Sequence, residues 1–130
     1  MDYKKSLEEI EKLLLDLQEK NVSIPIIVEG DKDVAALRRL DIKGIILSVN
    51  TGNSLSYFCD VIAEQYKEII ILTDWDWRGG RICHIIRKNL EGRVNCDIRY
   101  RELFARHTMI RTVEGLPSWI ETMKKKINLI

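Results

Sequence analysis

The sequence predicts an α/β fold in which a mainly parallel sheet of about four strands is flanked by helices. One observation is that short runs rich in Ile and Val are apolar at every position, as in strands that are covered on both faces. Another is that segments of ten or more residues with helical character separate these runs, which is the length that parallel crossovers need. The 130 residues, 45% of them hydrophobic and 32% charged, suit one globular domain over residues 1–130.

The predicted elements follow from spacing, β-branching and capping residues. Leu7, Ile10, Leu14 and Leu17 recur at helical spacing, which predicts an amphipathic N-terminal helix. Acidic residues in first turns, N-cap residues and a glycine stop mark the later helices, the last of which form a C-terminal extension. The predicted helices are 3–20, 31–40, 55–66, 78–90, 101–106 and 117–126, and the predicted strands are 24–28, 44–49, 69–73 and, more weakly, 94–98.

Composition excludes several classes of protein. The three cysteines are odd in number and none forms a C-x-x-C pair, so neither a disulfide framework nor a common zinc site is expected. No apolar run reaches the length of a membrane span, and the charged N-terminus has no signal core, so we expect a cytoplasmic protein with no membrane contact.

Charge is unevenly distributed along the chain. Residues 1–77 hold 9 Lys and Arg against 15 Asp and Glu, whereas residues 78–130 hold 12 against 5. An acidic first part and a basic second part suit a metal site beside a polyanion, and they also suit a solvated surface whose charges happen to segregate.

Acidic residues follow two of the predicted strands directly. Glu29 ends the first strand, and Asp74 and Asp76 follow the third. In a parallel sheet, ligands bind at the carboxyl ends of the strands, and period-two geometry would turn both aspartates to one point. Three converging carboxylates need a cation or a proton between them, and oxygen ligands suit Mg²⁺ or Mn²⁺. The alternative is a set of solvated loop acids at helix starts.

Two segments resemble the motifs of the toprim domain family, which occurs in topoisomerases, primases, recombination mediators and ribosomal-RNA maturation nucleases. Val28–Leu37 (VEGDKDVAAL) resembles its first motif, EG..D..AL, and Ile71–Gly79 (ILTDWDWRG) resembles its second, D.D..G after an apolar strand. Their order and the intervening strand, loop and helix also match, over roughly residues 22–100. Across its whole length, including Thr112–Ser118, the chain looks like the small stand-alone toprim proteins of archaea.

The resemblance implies a Rossmann-like toprim fold and a role for each matching residue. Glu29 matches the glutamate linked to general acid–base work or metal binding, and Asp74 and Asp76 match the aspartates that hold a divalent cation. The motif positions expected to be structural are Gly30, Asp33 and Gly79. Arg78 stands where topoisomerase members have a third acid, which argues against a second metal site and suits a phosphate contact.

Basic and aromatic residues of the following helix are candidates for nucleic-acid binding. Arg78, Arg81, Arg87 and Lys88 would line a backbone track, although a solvated helix face explains them equally well. Trp77 would stack on a base, while Trp75 is expected to pack inside the protein.

Three functions remain open from the sequence. The first is a Mg²⁺- or Mn²⁺-dependent, primase-like toprim protein that hydrolyses phosphodiesters of RNA or DNA, or catalyses a related phosphoryl transfer. The second is a non-catalytic module that binds nucleic acid or protein, including a second copy through exposed apolar residues of the first helix. The third is small-molecule phosphoryl transfer, because Asp74-Trp75-Asp76 also looks like the D-x-D of haloacid-dehalogenase phosphatases. That D-x-D opens the phosphatase fold, however, whereas here it follows the third strand.

Overall fold

Ten elements make up the part of the chain that the structure, a computed structural model, describes, which is residues 2–128. In chain order they are α1 (Tyr3–Asn21), β1 (Ile26–Val28), α2 (Asp31–Arg39), β2 (Ile46–Ser48), α3 (Leu55–Gln65), β3 (Glu68–Ile71), α4 (Trp77–Leu90), β4 (Asn95–Asp97), α5 (Arg99–His107) and α6 (Leu116–Asn128). Their order and number confirm the predicted α/β fold, and their ends differ from the predicted ones by two residues at most.

The four strands form one parallel sheet in the order β2-β1-β3-β4. The strands β1 and β3, which carry the acidic motifs, are therefore central neighbours, with Ile26 opposite Ile70 and Ile27 opposite Ile71. Hydrogen bonding continues one residue beyond β3, because the Leu72 N–H donates to the Ile27 carbonyl at 2.8 Å. The carboxyl ends of β1 and β3 consequently meet at one edge of the sheet.

Successive side chains of a strand point to opposite faces of the sheet, so the central strands contribute to two separate cores. Ile26 and Val28 point into a core formed with α1, α2, α5 and α6. Ile27, between them, points to the opposite side, into a core formed with α3 and α4. Both faces of the sheet are thus covered, which explains why its central strands are apolar at every position.

The apolar stripe of α1 is used inside the chain. Leu7, Ile10, Leu14 and Leu17 are buried in the first core. Leu15, on the other side of the helix, is left exposed. A dimer through exposed apolar residues of α1, which the sequence left open, would use side chains such as Leu15 rather than this buried stripe, and it stays a prediction. Among residues 2–128, no helix combines the length and apolar character needed to cross a bilayer.

Candidate functional site

A cavity of about 640 Å³ opens at the carboxyl ends of β1 and β3. It lies where sequence and sheet topology predict a ligand site. Its charged lining residues are Glu29, Asp31, Lys32, Asp33, Asp74, Arg78 and Glu114. The cavity therefore combines five acids with two cations, one of which is Arg78 of the second motif.

Glu29 leaves β1 and reaches across to the neighbouring strand. Its Oε2 accepts a hydrogen bond from the backbone N–H of Asp74 at 2.8 Å. This bond ties the two motifs together and orients the carboxylate. Within residues 2–128, Oε1 has no hydrogen-bond partner, so it is available to a ligand in the cavity.

Asp74 is held from the opposite side by the segment between α5 and α6. Its Oδ1 accepts a hydrogen bond from the backbone N–H of Val113 at 2.8 Å. Burial, followed by repulsion from Glu29, Asp33 and Asp76, raises the pKa of Asp74 to about 7, although the Val113 bond opposes the rise. In the described part of the chain alone, no nearby positive charge offsets the cost of keeping the Asp74 carboxylate ionised.

Asp76 has a different position from the one that its spacing predicts. Its side chain caps α4, because Oδ1 accepts a hydrogen bond from the Gly79 N–H at 2.7 Å. It does not line the cavity, and residues 2–128 contain no cluster of three acidic, histidine or cysteine residues arranged to hold one metal ion. The expected convergence of three carboxylates is therefore not found in this structure, because the unpaired N–H groups of the first turn of α4 need an acceptor.

Three contacts fix the backbone between β3 and α4. The Thr73 hydroxyl donates to the Gly79 carbonyl at 2.8 Å. The Arg101 guanidinium, from α5, donates to the Asp74 carbonyl through Nε at 3.1 Å and Nη2 at 2.9 Å. At Gly79 itself, a Cβ atom would overlap the Asp74 carbonyl oxygen. The motif glycine is therefore required by this close approach.

Trp75 links the same loop to the C-terminal extension. Its indole N–H donates to the Ile110 carbonyl at 2.6 Å, and its backbone N–H donates to the Arg111 carbonyl at 2.9 Å. The indole stacks on Phe104, with ring centroids 5.7 Å apart. The expectation that Trp75 packs inside the protein is confirmed.

The first motif carries its own cap. Asp33 is buried, and its Oδ2 accepts a hydrogen bond from the Gly30 N–H at 3.0 Å, at the start of α2. Burial is the main cause that raises the pKa of Asp33, and the charges of Glu29 and Glu114 add to it. Asn50, which follows β2, also lines the cavity.

The predicted nucleic-acid residues spread along the whole of α4. Arg78 lines the cavity, while Trp77 is 78% exposed, with the Arg81 guanidinium 5.8 Å from the centre of its ring. Arg87 and Lys88 lie in the last turn, beside a second cavity of about 360 Å³. Ten residues of helix separate Arg78 from Lys88, a rise of about 15 Å. These cations therefore do not surround one point.

Three contributors to the site carry no recognisable pattern in the sequence. They are Glu114 in the cavity wall, the Val113 N–H and the Arg101 guanidinium. The signal that pointed towards the first two was the segment Thr112–Ser118, through its likeness to the archaeal proteins. Nothing in the local sequence of α5 distinguishes Arg101 from the other arginines around it.

The donor set suits a hydrated divalent cation. Glu29 Oε1 and Asp74 Oδ2 are oxygen donors on one cavity, and each carboxylate has its other oxygen fixed by a backbone N–H. Mg²⁺ in proteins is often held by one or two carboxylates, with water or phosphate oxygens completing its octahedron. Two carboxylates of this kind fit Mg²⁺ or Mn²⁺ bound in that way, and the described residues do not fit an ion enclosed by protein ligands.

Comparison with known proteins agrees with the motifs. A model of the Toprim domain matches residues 24–105. The chain is 43% identical to a UPF0292 protein of Thermoplasma volcanium, over 82% of this chain and 91% of that protein. It is 35% identical to a UPF0292 protein of Methanosarcina acetivorans, over 95% of this chain and 88% of that protein.

A likeness in structure supports the fold. A solved protein of Aquifex aeolicus superposes with a TM-score of 0.70, covering 80% of this chain and 94% of that one at 22% sequence identity. The matched region contains both motifs and all four strands. The chain therefore belongs to the Toprim domain family, and its relatives are the small archaeal UPF0292 proteins.

Proposed function

We propose that this protein is a Mg²⁺- or Mn²⁺-dependent Toprim enzyme that hydrolyses phosphodiester bonds of nucleic acid, or carries out a related phosphoryl transfer. Membership of the Toprim family suggests a metal-dependent role connected with nucleic acid. The observation that carries the finer proposal is the cavity shared by Glu29, Asp74 and Arg78. It brings two oxygen donors and one phosphate-binding cation to a single opening.

Glu29 and Asp74 are the proposed holders of the cation. Asp76 caps α4 and does not line the cavity, so a contact with the cation would have to use Oδ2, the oxygen that the cap leaves free. A cation bound there would polarise a non-bridging phosphate oxygen and stabilise the leaving oxygen. Two backbone N–H groups keep the carboxylates aimed at the cavity, so little reorganisation is needed when the ligand arrives.

Proton transfer is assigned to Glu29, whose Oε1 faces the cavity without a protein partner among residues 2–128. A carboxylate in this position accepts a proton from an attacking water, or returns one to the leaving oxygen. Arg78 contacts the phosphate through its guanidinium, which remains protonated throughout the physiological pH range. Trp77, at the start of the same helix, stacks on a neighbouring base.

The test is cleavage of structured RNA, single-stranded RNA, and single- and double-stranded DNA, each with Mg²⁺, Mn²⁺ or EDTA. We expect metal-dependent cleavage that Glu29→Gln and Asp74→Asn each reduce by at least about 100-fold. Glu64→Gln is the matched control, because Glu64 is an exposed acid on α3, away from the cavity, and should retain full activity. If no substrate is cut with either metal, the enzymatic proposal is wrong.

A second candidate function is a non-catalytic adaptor for nucleic acid. The use of Asp76 as a helix cap favours it, since the site then has fewer free ligands than the motif offers. Binding would depend on α4, so Arg78→Ala should weaken a gel shift at low salt, whereas Arg39→Ala, an exposed arginine on α2, should not. Binding that persists in EDTA and in Asp74→Asn, without cleavage, would identify the adaptor.

A further inference from the structure

The two edges of the sheet differ in how they are protected. At the β4 edge, Asp97 forms ion pairs with Arg99 at 3.0 Å and Lys20 at 3.9 Å. The β2 edge has the sequence Ile46-Leu47-Ser48, with no charge, proline or bulge. Natural sheets usually block an exposed edge with such features, because an open edge is a template for another strand.

The outer side of β2 presents unused backbone groups. The Ile45 carbonyl and the Val49 N–H are hydrogen-bonded to β1, at 3.0 Å each. Because the direction of the backbone N–H and C=O groups alternates along a strand, those of Ile46 and Ser48 point away from β1. Within residues 2–128, β2 pairs with β1 alone, and no loop, cap or side-chain hydrogen bond involves the backbone N–H or C=O of either residue. Two N–H and two C=O groups are therefore free along one short strand.

The strand is also held rigidly in this position. The buried Asn21 side chain donates to the carbonyls of Ile24 and Ile45, at 3.0 Å each, and accepts from the Gly44 N–H at 2.7 Å. These bonds fix the approach to β2 before any partner arrives. Pre-organisation of this kind reduces the entropy lost on association.

The surroundings of the open edge are apolar. A cavity of about 530 Å³ runs along β2 between α2 and α3, and Asp31 is its only charged lining residue. Ile45 is 50% exposed and Tyr57 is 57% exposed beside it. Leu15 and Val22, both exposed, line a further cavity that includes Gly44, next to the start of the strand. Clustered exposed apolar side chains of this kind mark interaction surfaces.

We propose that the β2 edge binds a second copy of this chain, so that two β2 strands pair antiparallel about a two-fold axis at Leu47. That axis places Ile46 opposite the partner's Ser48, and Ser48 opposite the partner's Ile46. All four outward peptide groups of each strand then find partners, since such a pair exchanges both of its hydrogen bonds. The result is a continuous eight-stranded sheet.

Charge at the two ends of the strand favours the same occupant. Lys43 precedes β2, and Asp31 lies beside Asn50 and Thr51, which follow it. Antiparallel pairing about Leu47 places Lys43 opposite the partner's Thr51, which lines the same cavity as the partner's Asp31. The two-fold axis repeats this opposite-charge contact, which fixes the register of the pair.

Sedimentation equilibrium from about 1 to 200 μM tests the proposal, because that range spans dissociation constants typical of modest dimers. We expect a species of twice the 15.2 kDa chain mass. Ile45→Lys and Tyr57→Glu should each raise the dissociation constant at least about tenfold. Ile85→Lys is the matched control, since Ile85 is an exposed isoleucine on α4, and it should leave the constant unchanged.

Exchanging the charges of Lys43 and Asp31 distinguishes the proposed pairing from other modes of dimerisation. Lys43→Glu should weaken association, and adding Asp31→Lys to it should restore the dimer, provided circular dichroism shows that each variant is folded. A monomer throughout the range would overturn the proposal and leave the edge to an extended peptide of another protein. A dimer that none of the edge variants affects would overturn it as well.

Discussion

The junction between β1 and α2 and the junction between β3 and α4 have a similar arrangement of acidic residues, but the backbone is packed more tightly at the second. At each, the acid that directly follows the strand, Glu29 or Asp74, lines the cavity. A second acid, Asp33 or Asp76, accepts a hydrogen bond from a backbone N–H at the start of the next helix, and Asp33 lines the cavity as well. A Cβ on Gly30, at the first junction, would meet nothing within 4 Å, whereas at the second Gly79 lies against the Asp74 carbonyl. In each motif, therefore, one acid follows the strand into the cavity and another is bonded to the backbone at the helix start.

The difference in packing gives the largest expected effect. Gly79→Ala should destabilise the protein by about 3 kcal/mol or more, because the new methyl group displaces the backbone of Asp74. Gly30→Ala should cost about 1 kcal/mol or less, since the added methyl group meets open space. Urea unfolding of both variants is the measurement. Equal losses would show that the two junctions are equally constrained.

Substitution of the two tryptophans of the second junction should have clearly different effects on stability. Trp75→Ala removes the stack on Phe104 and the bond to the Ile110 carbonyl, so we expect a loss of about 3 kcal/mol. Trp77→Ala removes an exposed ring and should change stability by less than about 0.5 kcal/mol. Thermal unfolding measures both losses. Weaker binding of single-stranded nucleic acid by the folded Trp77→Ala variant would assign that ring to the ligand surface.

The cap at Asp76 can be separated from any role as a ligand. Asp76→Ala should cost about 1 to 2 kcal/mol, because the Gly79 N–H loses its acceptor. Asp76→Asn retains a capping oxygen and should be nearly as stable as the wild type. Calorimetric titration with Mn²⁺ then decides the second role: unchanged affinity in Asp76→Asn makes Asp76 a cap alone, and a loss of affinity makes it a ligand as well.

The pKa of Asp74 predicts how the metal-free protein responds to pH. Its pKa is raised from 3.8 to about 7 in the folded state, so the native state binds more protons than the unfolded state between these values. The stabilisation that protonation provides is present below about pH 4 and is lost as the pH rises towards 7.

In EDTA at pH 8, Asp74→Asn should therefore be more stable than the wild type, by about 1 kcal/mol once solvent screening of this half-buried group is allowed for. Near pH 4 the two proteins should unfold together. Melting curves across this range, with Glu64→Gln as a control, give the comparison. A difference in stability between Asp74→Asn and the wild type that does not change with pH would mean that Asp74 does not titrate in this way.

Much of the fold and the two cavity acids follow from the sequence, because both depend on local signals. Unbroken apolar runs give the central strands, and an acid that directly follows such a strand lies at the sheet edge wherever the crossovers run. The sequence left a helix-start role for Asp76 as the alternative to a metal ligand. Period-two spacing describes an extended chain, whereas this residue is the N-cap of α4. The bond from the Val113 N–H to Asp74 could not be predicted, since the likeness of residues 112–118 to the archaeal proteins marks the segment but says nothing of which backbone donor it contributes.

The connection from Val113 to Asp74 has a consequence for how the protein is made. The motif residues leave the ribosome early, but the group that orients Asp74 lies 39 residues further along the chain. A nascent chain that ends before this segment can form the strands and still lacks the contact that aligns its carboxylate. The completed arrangement of Glu29 and Asp74 is therefore expected only late in synthesis.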